Sequence, residues 1–367
     1  MNRKTFFVLL AVLVITSLFA LPVAAQSPNP VQEAAEMYFA GGPKTMQARD
    51  LFANLNDGDA SNDPLIVDIR GAEDYANGHI KGAINIAGKE LFSAENLAKL
   101  PADKSIVLNC YSGQTASQVV AALRMAGYDA YNLLYAVPSW GTNEKVTYPF
   151  KAEQSGGFRV STEAASLGEA GELPAPLGAT ATAAAQAYFP GGFKAVKAAD
   201  LFANLNDGDT SNDPVILDTR AAEDYAAGHI PGAVNVNVKE MFTAANLAKL
   251  PKDKQIVSYC YSGQSASQVT AALNMLGYNA ANMQFGMASW AIVDAKSTPV
   301  WDVSKSLGQP LEVAATAEAV PAVATVPAAA TETAAAPAAL PTTGAAFGAL
   351  ALAGLAALGA GLALRRN

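Results

Sequence analysis

Short apolar runs bounded by turn residues alternate with apolar positions at helical spacing through the middle of this chain. Ala48 to Leu55 opens as a helix. The turn formers Asn56-Asp57-Gly58-Asp59 and Asp63-Pro64 then lead into Leu65-Ile66-Val67, a buried-type strand ending at Asp68. A second strand is predicted over Ala83–Ile86, a helical stretch over about Glu90–Leu100, and a strand over Ile106–Asn109 that delivers Cys110. Val119, Val120, Leu123 and Met125 carry a helix towards Gly127-Tyr128, and Ala130–Leu134 reads as the last strand. Short apolar strands alternating with helices predict an α/β domain with a mostly parallel central sheet flanked by helices. Functional groups in such sheets collect at the carboxyl ends of strands, and Asp68 and Cys110 both stand at such ends.

The whole pattern occurs twice. Residues 51–140 align with 201–290 without a gap at an offset of 150, and 60 of the 90 positions are identical. A repeat of that length is a duplicated domain, too long for a solenoid unit. The expected domains are 31–150 and 181–308, joined by a linker over 151–180 with Gly156-Gly157, Pro174 and Pro176 as breakers. The offset relates the only two cysteines, Cys110 and Cys260, and the only two histidines, His79 and His229. It also relates Asp68 to Asp218, Arg70 to Arg220 and Trp140 to Trp290.

Both ends of the chain carry sorting patterns. Residues 1–25 read as a secretory signal, with Arg3 and Lys4 before an apolar Phe6–Leu21 and the small-residue site Val23-Ala24-Ala25. Near the other end, Leu340-Pro341-Thr342-Thr343-Gly344 precedes the apolar Ala345–Leu364 and the basic Arg365-Arg366. That order resembles the LPxTG cell-wall sorting signal. The resemblance implies cleavage by a sortase after Thr343 and linkage of Thr343 to peptidoglycan. The segment after Gly344 is long enough to cross a bilayer before sorting, so a plain C-terminal membrane anchor is the alternative. Residues 309–339 are Ala, Pro, Val, Thr and Glu almost throughout, a composition for an extended stalk. Both readings place the folded part outside the cell, tethered to its surface. The formal net charge is −8, without the clustered Lys and Arg of a nucleic-acid footprint.

One cysteine per domain is no disulfide framework. Each thiol instead sits at a strand–loop–helix junction, where loop N–H groups and the positive end of a helix favour thiolate. The expectation is two independent thiols, each in a pocket of its own domain. A zinc site fails on ligand count. The Asn-Asp-Gly-Asp loops lack EF-hand spacing and suit ordinary turns. No metal or cofactor is expected.

The segments IVDIRGAEDYANGHIKGAINI and ILDTRAAEDYAAGHIPGAVNV, followed by the two cysteine loops, resemble the signature of the rhodanese family. The resemblance covers both repeats and implies a cysteine that carries sulfur as a persulfide. It makes Cys110 and Cys260 the nucleophiles. The pocket then falls to Tyr111, Ser112, Gly113, Gln114 and Thr115 in the first copy and Tyr261, Ser262, Gly263, Gln264 and Ser265 in the second. Gly113 allows the tight curl of an N–H cradle, and Ser112 and Thr115 offer hydroxyls to the sulfur. The partners so implied are a small sulfur donor and a thiol or cyanide-like acceptor. Neither loop has a basic residue, so thiosulfate is one candidate donor beside persulfides and polysulfides. Gly-Gly before the family's tryptophan is replaced by Tyr135-Ala136 and Phe285-Gly286 at the matching places. The histidines in Gly-His-Ile fit an architectural role in the family, and Asp68 with Arg70 reads as a structural pair or a substrate contact. A phosphatase of this fold needs Cys-x5-Arg, and Ala116 and Ala266 stand where the arginine belongs. A non-catalytic interaction module displayed on the wall is the remaining alternative.

Overall fold

Asn29 caps a helix: its side chain accepts a hydrogen bond from Val31 N, and Pro30 fills the first turn, where a missing N–H leaves nothing unpaired. The computed structural model describes residues 29–143, 150–293 and 301–313. In the first repeat the elements are α1 (Pro30–Ala40), β1 (Thr45–Met46), α2 (Ala48–Asn54), β2 (Leu65–Asp68) and α3 (Ala72–Asn77). They continue as β3 (Ile84–Asn85), α4 (Ala94–Leu97), β4 (Ile106–Asn109), α5 (Gln114–Met125), β5 (Ala130–Leu133) and α6 (Ala136–Trp140). The second repeat runs α7 (Ala181–Tyr188), β6 (Ala195–Val196), α8 (Ala198–Asn204), β7 (Val215–Asp218) and α9 (Ala222–Ala227). It ends with β8 (Val234–Asn235), α10 (Ala244–Leu247), β9 (Ile256–Tyr259), α11 (Gln264–Met275), β10 (Ala280–Met283) and α12 (Met287–Trp290).

Each repeat builds one five-stranded sheet, in the orders β1-β5-β4-β2-β3 and β6-β10-β9-β7-β8, and every pairing is parallel. The α/β reading therefore holds in both copies. The helix predicted over Glu90–Leu100 shrinks to the single turn of α4, because Asn96 Nδ2 bonds Glu90 O and Ser93 caps at Asn96 N, tying the chain into successive turns. Register sets Asp68 beside Asn109 and Asp218 beside Tyr259, so the carboxyl ends of the two central strands meet directly under the cysteine loops.

The repeats are not separate bodies. α5 and α11 pack closely on each other, and ten of the twelve residues of α5 are buried, Ser117 and Gln118 among them. Small residues at Ala116, Ala121 and Ala122 let the facing helix approach. The helix that precedes each repeat packs on its own repeat and reaches across to the other. Phe39 at the end of α1 stacks on Phe242 at 4.2 Å, and Phe189 after α7 stacks on Phe92 at 4.6 Å. Tyr188 Oη donates to Gln118 Oε1 at 2.7 Å, and Tyr38 Oη bonds Gln268 Oε1 in the same way. The trailing segments also cross over. Ser161 exchanges backbone hydrogen bonds with His229, and Glu312 does so with His79. One apolar cluster consequently contains residues from both repeats, from Val31 and Leu123 to Phe242 and Leu273.

Residues 151–161 follow the second repeat's surface, with Phe158 between Phe202 and Trp290. The part of the expected stalk that is described, residues 309–313, sits on the first repeat, where Gln309 N donates to Trp140 O. The expected secretory signal 1–25, the rest of the expected stalk and the expected sorting signal 340–367 lie outside the described residues. Among the described residues no helix is long and apolar enough to cross a membrane.

Candidate active site

β4 ends at Asn109, and Cys110 begins a four-residue curl into α5. Gly113 closes the curl with φ 85°, a left-handed conformation that favours glycine. The curl folds the backbone around the sulfur: Cys110 Sγ accepts from Gly113 N at 3.2 Å and Ala116 N at 3.5 Å. These donors belong to the N-terminal turn of a twelve-residue helix, whose dipole adds positive potential at the same place. The second loop has the same curl, with Gly263 at φ 80° opening α11. Both thiols are free, and Cys110 and Cys260 are only 1% and 2% exposed.

Beneath each loop lies a buried ion pair. Arg70 Nη2 reaches Asp68 Oδ2 at 2.7 Å and Gly78 O at 2.6 Å, with neither charged side chain exposed. Asn109 Nδ2 donates to the same carboxylate at 3.1 Å, and in the second repeat Tyr259 Oη donates to Asp218 Oδ2 at 2.5 Å. Arg70 and Arg220 thus brace strand ends through Nε and Nη2, while the buried Nη1 of each has no hydrogen-bond partner. The histidines are architectural: His79 stacks on Tyr75 at 3.8 Å with Nδ1 on Tyr75 O, and His229 repeats this on Tyr225. Among the described residues no cluster of three or more His, Cys, Asp or Glu could hold a metal ion. In the acidic loops Asp57 and Asp59 accept from Asp59 N and Ser61 N, the bonds of self-contained turns.

The residues expected to shape the pocket divide into three roles. Tyr111 turns away, its hydroxyl donating to Asp74 Oδ2 at 2.5 Å; burial and that carboxylate raise its pKa to about 12. Tyr261 does likewise on Asp224. Ser112 and Ser262 line the cavity and accept from Gln114 Nε2 and Gln264 Nε2 at 3.1 and 3.3 Å. Thr115 and Ser265 stand half-buried in the first helical turn; the donors that meet Cys110 Sγ are backbone N–H groups.

Gln114 and Gln264 do something the sequence did not announce. Gln264 Oε1 crosses to the first repeat, where Asn132 Nδ2 at 2.9 Å and Tyr135 N at 3.0 Å donate to it. Gln114 Oε1 makes the reciprocal crossing to Asn282 Nδ2 at 3.1 Å and Phe285 N at 2.9 Å. Each cysteine loop is therefore tied to the end of the last strand of the other repeat, and between them lies one cavity lined by residues of both repeats, with neither cysteine in its lining. It is lined by Ser112, Tyr135, Pro138 and Phe150 with Ser262, Phe285, Ala288 and Trp301. Gln264 holds Tyr135 at φ 61° and Gln114 holds Phe285 at φ 60°, unusual for residues with a Cβ. Of the aromatic wall, only the position of Tyr135 and Phe285 after the last strand was visible in sequence. Phe150 and Trp301 arrive from the segments that follow each repeat.

The family model of the rhodanese-like domain matches residues 48–143 and 197–292. The chain is 35% identical over 83 residues to thiosulfate:glutathione sulfurtransferase of Homo sapiens, covering 19% of this chain and 72% of that one. It is 33% identical over 110 residues to the HTH-type transcriptional regulator Rv0324 of Mycobacterium tuberculosis (strain ATCC 25618 / H37Rv), covering 27% and 47%. The chain thus spans about half the length of that regulator. It is similar in structure to a thiosulfate sulfurtransferase from Pseudomonas aeruginosa, at 18% identity and a TM-score of 0.28, covering 74% of this chain and 49% of the other. With two matched segments that coincide with its two parallel sheets, the chain belongs to the rhodanese-like family, as a tandem of two such domains.

Proposed function

We propose that this chain is a cell-surface sulfurtransferase that carries sulfane sulfur as persulfides on Cys110 and Cys260. The observation that carries the reading is the N–H cradle around Cys110 Sγ. In the first half-reaction the cysteine thiolate attacks the outer sulfur of a donor such as thiosulfate, a persulfide or a polysulfide. A cysteine–sulfur bond forms, the donor's S–S bond breaks, and its electron pair leaves with sulfite or a thiolate. The resulting persulfide is anionic at neutral pH. Gly113 N–H and Ala116 N–H meet Cys110 Sγ and so favour the thiolate that attacks and is later restored, without a titrating side chain, and the positive end of α5 favours the anionic outer sulfur. In the second half-reaction a thiol or cyanide-like acceptor takes the outer sulfur and restores the thiolate.

The secretory signal and the Leu340-Pro341-Thr342-Thr343-Gly344 pattern support export and sortase-mediated attachment to peptidoglycan through Thr343. A tethered enzyme would meet donors outside the cell.

Near-complete burial of both sulfurs favours the second reading, a binding module with inert cysteines. The two readings separate in one experiment. The 26–343 ectodomain is treated with thiosulfate, a persulfide and a polysulfide, and its peptides are mapped by mass. An added sulfur on a cysteine-loop peptide, removed by cyanide as thiocyanate, is the expected result; no adduct with any donor leaves the binding module.

A further inference from the structure

Gln264 opens α11 in the second repeat, yet the oxygen of its buried side chain belongs to the Cys110 site. Gln264 Oε1 rests against Gly113, in the place where a Cβ on that residue would project. Gly113 N–H is one of the two donors to Cys110 Sγ. The same oxygen accepts from Asn132 Nδ2 and Tyr135 N at the end of β5. Beyond Tyr135 the chain turns back on the cysteine, and Val137 N donates to Cys110 O at 3.4 Å. One amide oxygen from the second repeat thus touches the glycine of the cradle and fixes the segment that holds the cysteine's carbonyl.

That segment needs an outside support. Tyr135 and Ala136 have φ of 61° and 52°, and residues with a Cβ stay in that region only where their surroundings over-determine the backbone. Asn132 is fully buried, so an amide that lost Gln264 Oε1 would be left short of an acceptor away from water. The bond Gln264 makes inside its own loop, from Nε2 to Ser262 Oγ, is longer at 3.3 Å than the two crossing bonds at 2.9 and 3.0 Å. The lock is reciprocal. Gln114 Oε1 rests against Gly263 and accepts from Asn282 Nδ2 and Phe285 N, and Met287 N beyond them donates to Cys260 O at 2.7 Å.

We infer that each repeat completes the other's cysteine site, with Gln264 a positioning residue for Cys110 and Gln114 a positioning residue for Cys260. The inference rests on the sulfurtransferase reading and deepens it: the working unit is the tandem, and a cysteine loop without the opposite glutamine loses its geometry. Gln264 touches no reacting atom. It acts through Gly113, whose N–H it keeps aimed at the sulfur, and through Tyr135, whose strained backbone closes the loop. A contact that only held the repeats together would affect both sites alike. A positioning residue affects the site across the interface.

Crossed variants of the 26–343 ectodomain separate the two. Loading of each cysteine by thiosulfate and by sodium polysulfide is followed by peptide mapping over a range of pH. Gln264→Leu, similar in size, should slow loading of Cys110 about tenfold, the worth of roughly one hydrogen bond to a charged group. It should also move the pH profile at Cys110 upward and leave Cys260 near its wild-type rate. Gln114→Leu should do the reverse, although Gln114 lies in the loop of Cys110. Gln264→Asn withdraws the amide by one methylene, keeps the position polar, and should slow Cys110 as well if leucine compromises folding. Gln268→Leu is the control: it removes a buried amide bonded across the same interface to Tyr38 and Lys44. That variant should unfold at a lower temperature without favouring either cysteine. With isotope-labelled glycine, the Gly113 amide resonance should move in Gln264→Leu and stay in place in Gln268→Leu, a signature that needs no sulfur transfer. Equal slowing of both cysteines, slowing of Cys260 alone, or an unmoved Cys110 rate in the Gln264 variants overturns the inference and leaves sulfur transfer intact. No adduct at either wild-type cysteine removes the sulfurtransferase reading, and the Gly113 resonance then still decides whether Gln264 positions the Cys110 loop.

Discussion

Gly113 shows how much one residue carries in this site. Its φ of 85° strains any L side chain, and a Cβ built there would lie 2.2 Å from Gln264 Oε1 and 3.2 Å from Asn132 Nδ2. Gly113→Ala should therefore cost about 1–3 kcal/mol and push Gln264 out of its lock. Thermal unfolding reads the stability loss, and sulfur loading at Cys110 should fall with it. Gly127→Ala is the comparison, since its φ of 96° is also left-handed but no atom lies within 4 Å of the added carbon. That variant should lose stability and keep loading; the reverse pattern would show that the lock does not shape the loop. Tyr111 and Tyr261 make a second prediction at this scale. Burial, with the bonds to Asp74 and Asp224, raises both pKa values from 10.0 to about 12. The folded state thus holds these protons more tightly than the unfolded chain does. Their contribution is complete below about pH 10 and is lost as pH rises from 10 to 12. Urea unfolding between pH 8 and 12 should show stability falling over that window, less steeply in Tyr111→Phe; stability rising with pH there would contradict it.

At the scale of elements, α1 and α7 exchange contacts between the repeats. α1 packs on α5 and α7 and stacks Phe39 on Phe242, α7 packs on both α5 and α11, and α5 and α11 bury nearly their whole circumference between the two sheets. A lone repeat would leave all of this apolar surface in water. Residues 29–150 expressed alone should therefore associate as a homodimer, with a second copy of α5 in the place of α11. Sedimentation of the purified fragment reads the mass directly, and a stable monomer would show that the exchange adds little. Buried Gln118 and Gln268 supply the polar part of this contact, and each is answered by a tyrosine hydroxyl and a lysine backbone from across the interface.

For the molecule as a whole, the continuous core and the two free thiols have a joint consequence. A core shared by both repeats should unfold as one unit, and no covalent link holds them. Calorimetry of the 26–343 ectodomain should give a single transition whose midpoint does not move when reductant is added. Cys110→Ser and Cys260→Ser should change stability little and remove sulfur loading one site at a time. Two separated transitions would mean that the repeats fold independently. A loss of about 2–5 kcal/mol in either variant, matched by reductant in the wild type, would mean a native disulfide.

Much of this was legible in the chain itself. Short continuous apolar runs at Leu65–Val67 and Ile106–Leu108 and the helical spacing of Val119–Met125 determine the element types, because a strand buried on both faces is apolar throughout and a helix repeats its buried positions every three to four residues. The 150-residue offset determines the duplication, and the place of Cys110 between strand and helix marks the N–H cradle. Only the tertiary structure decided what covers the buried faces. Periodicity shows that Phe39 is buried but not that Phe242 of the other repeat buries it. Gln114, Gln118, Gln264 and Gln268 are polar residues that a pattern assigns to the surface. They are buried because their amides find partners across the interface, and that match depends on how two folded units meet. The shared cavity follows from the same docking. Phe150 and Trp301 reach it through segments that follow each repeat, and no local rule ties either ring to a cysteine loop far away in the chain.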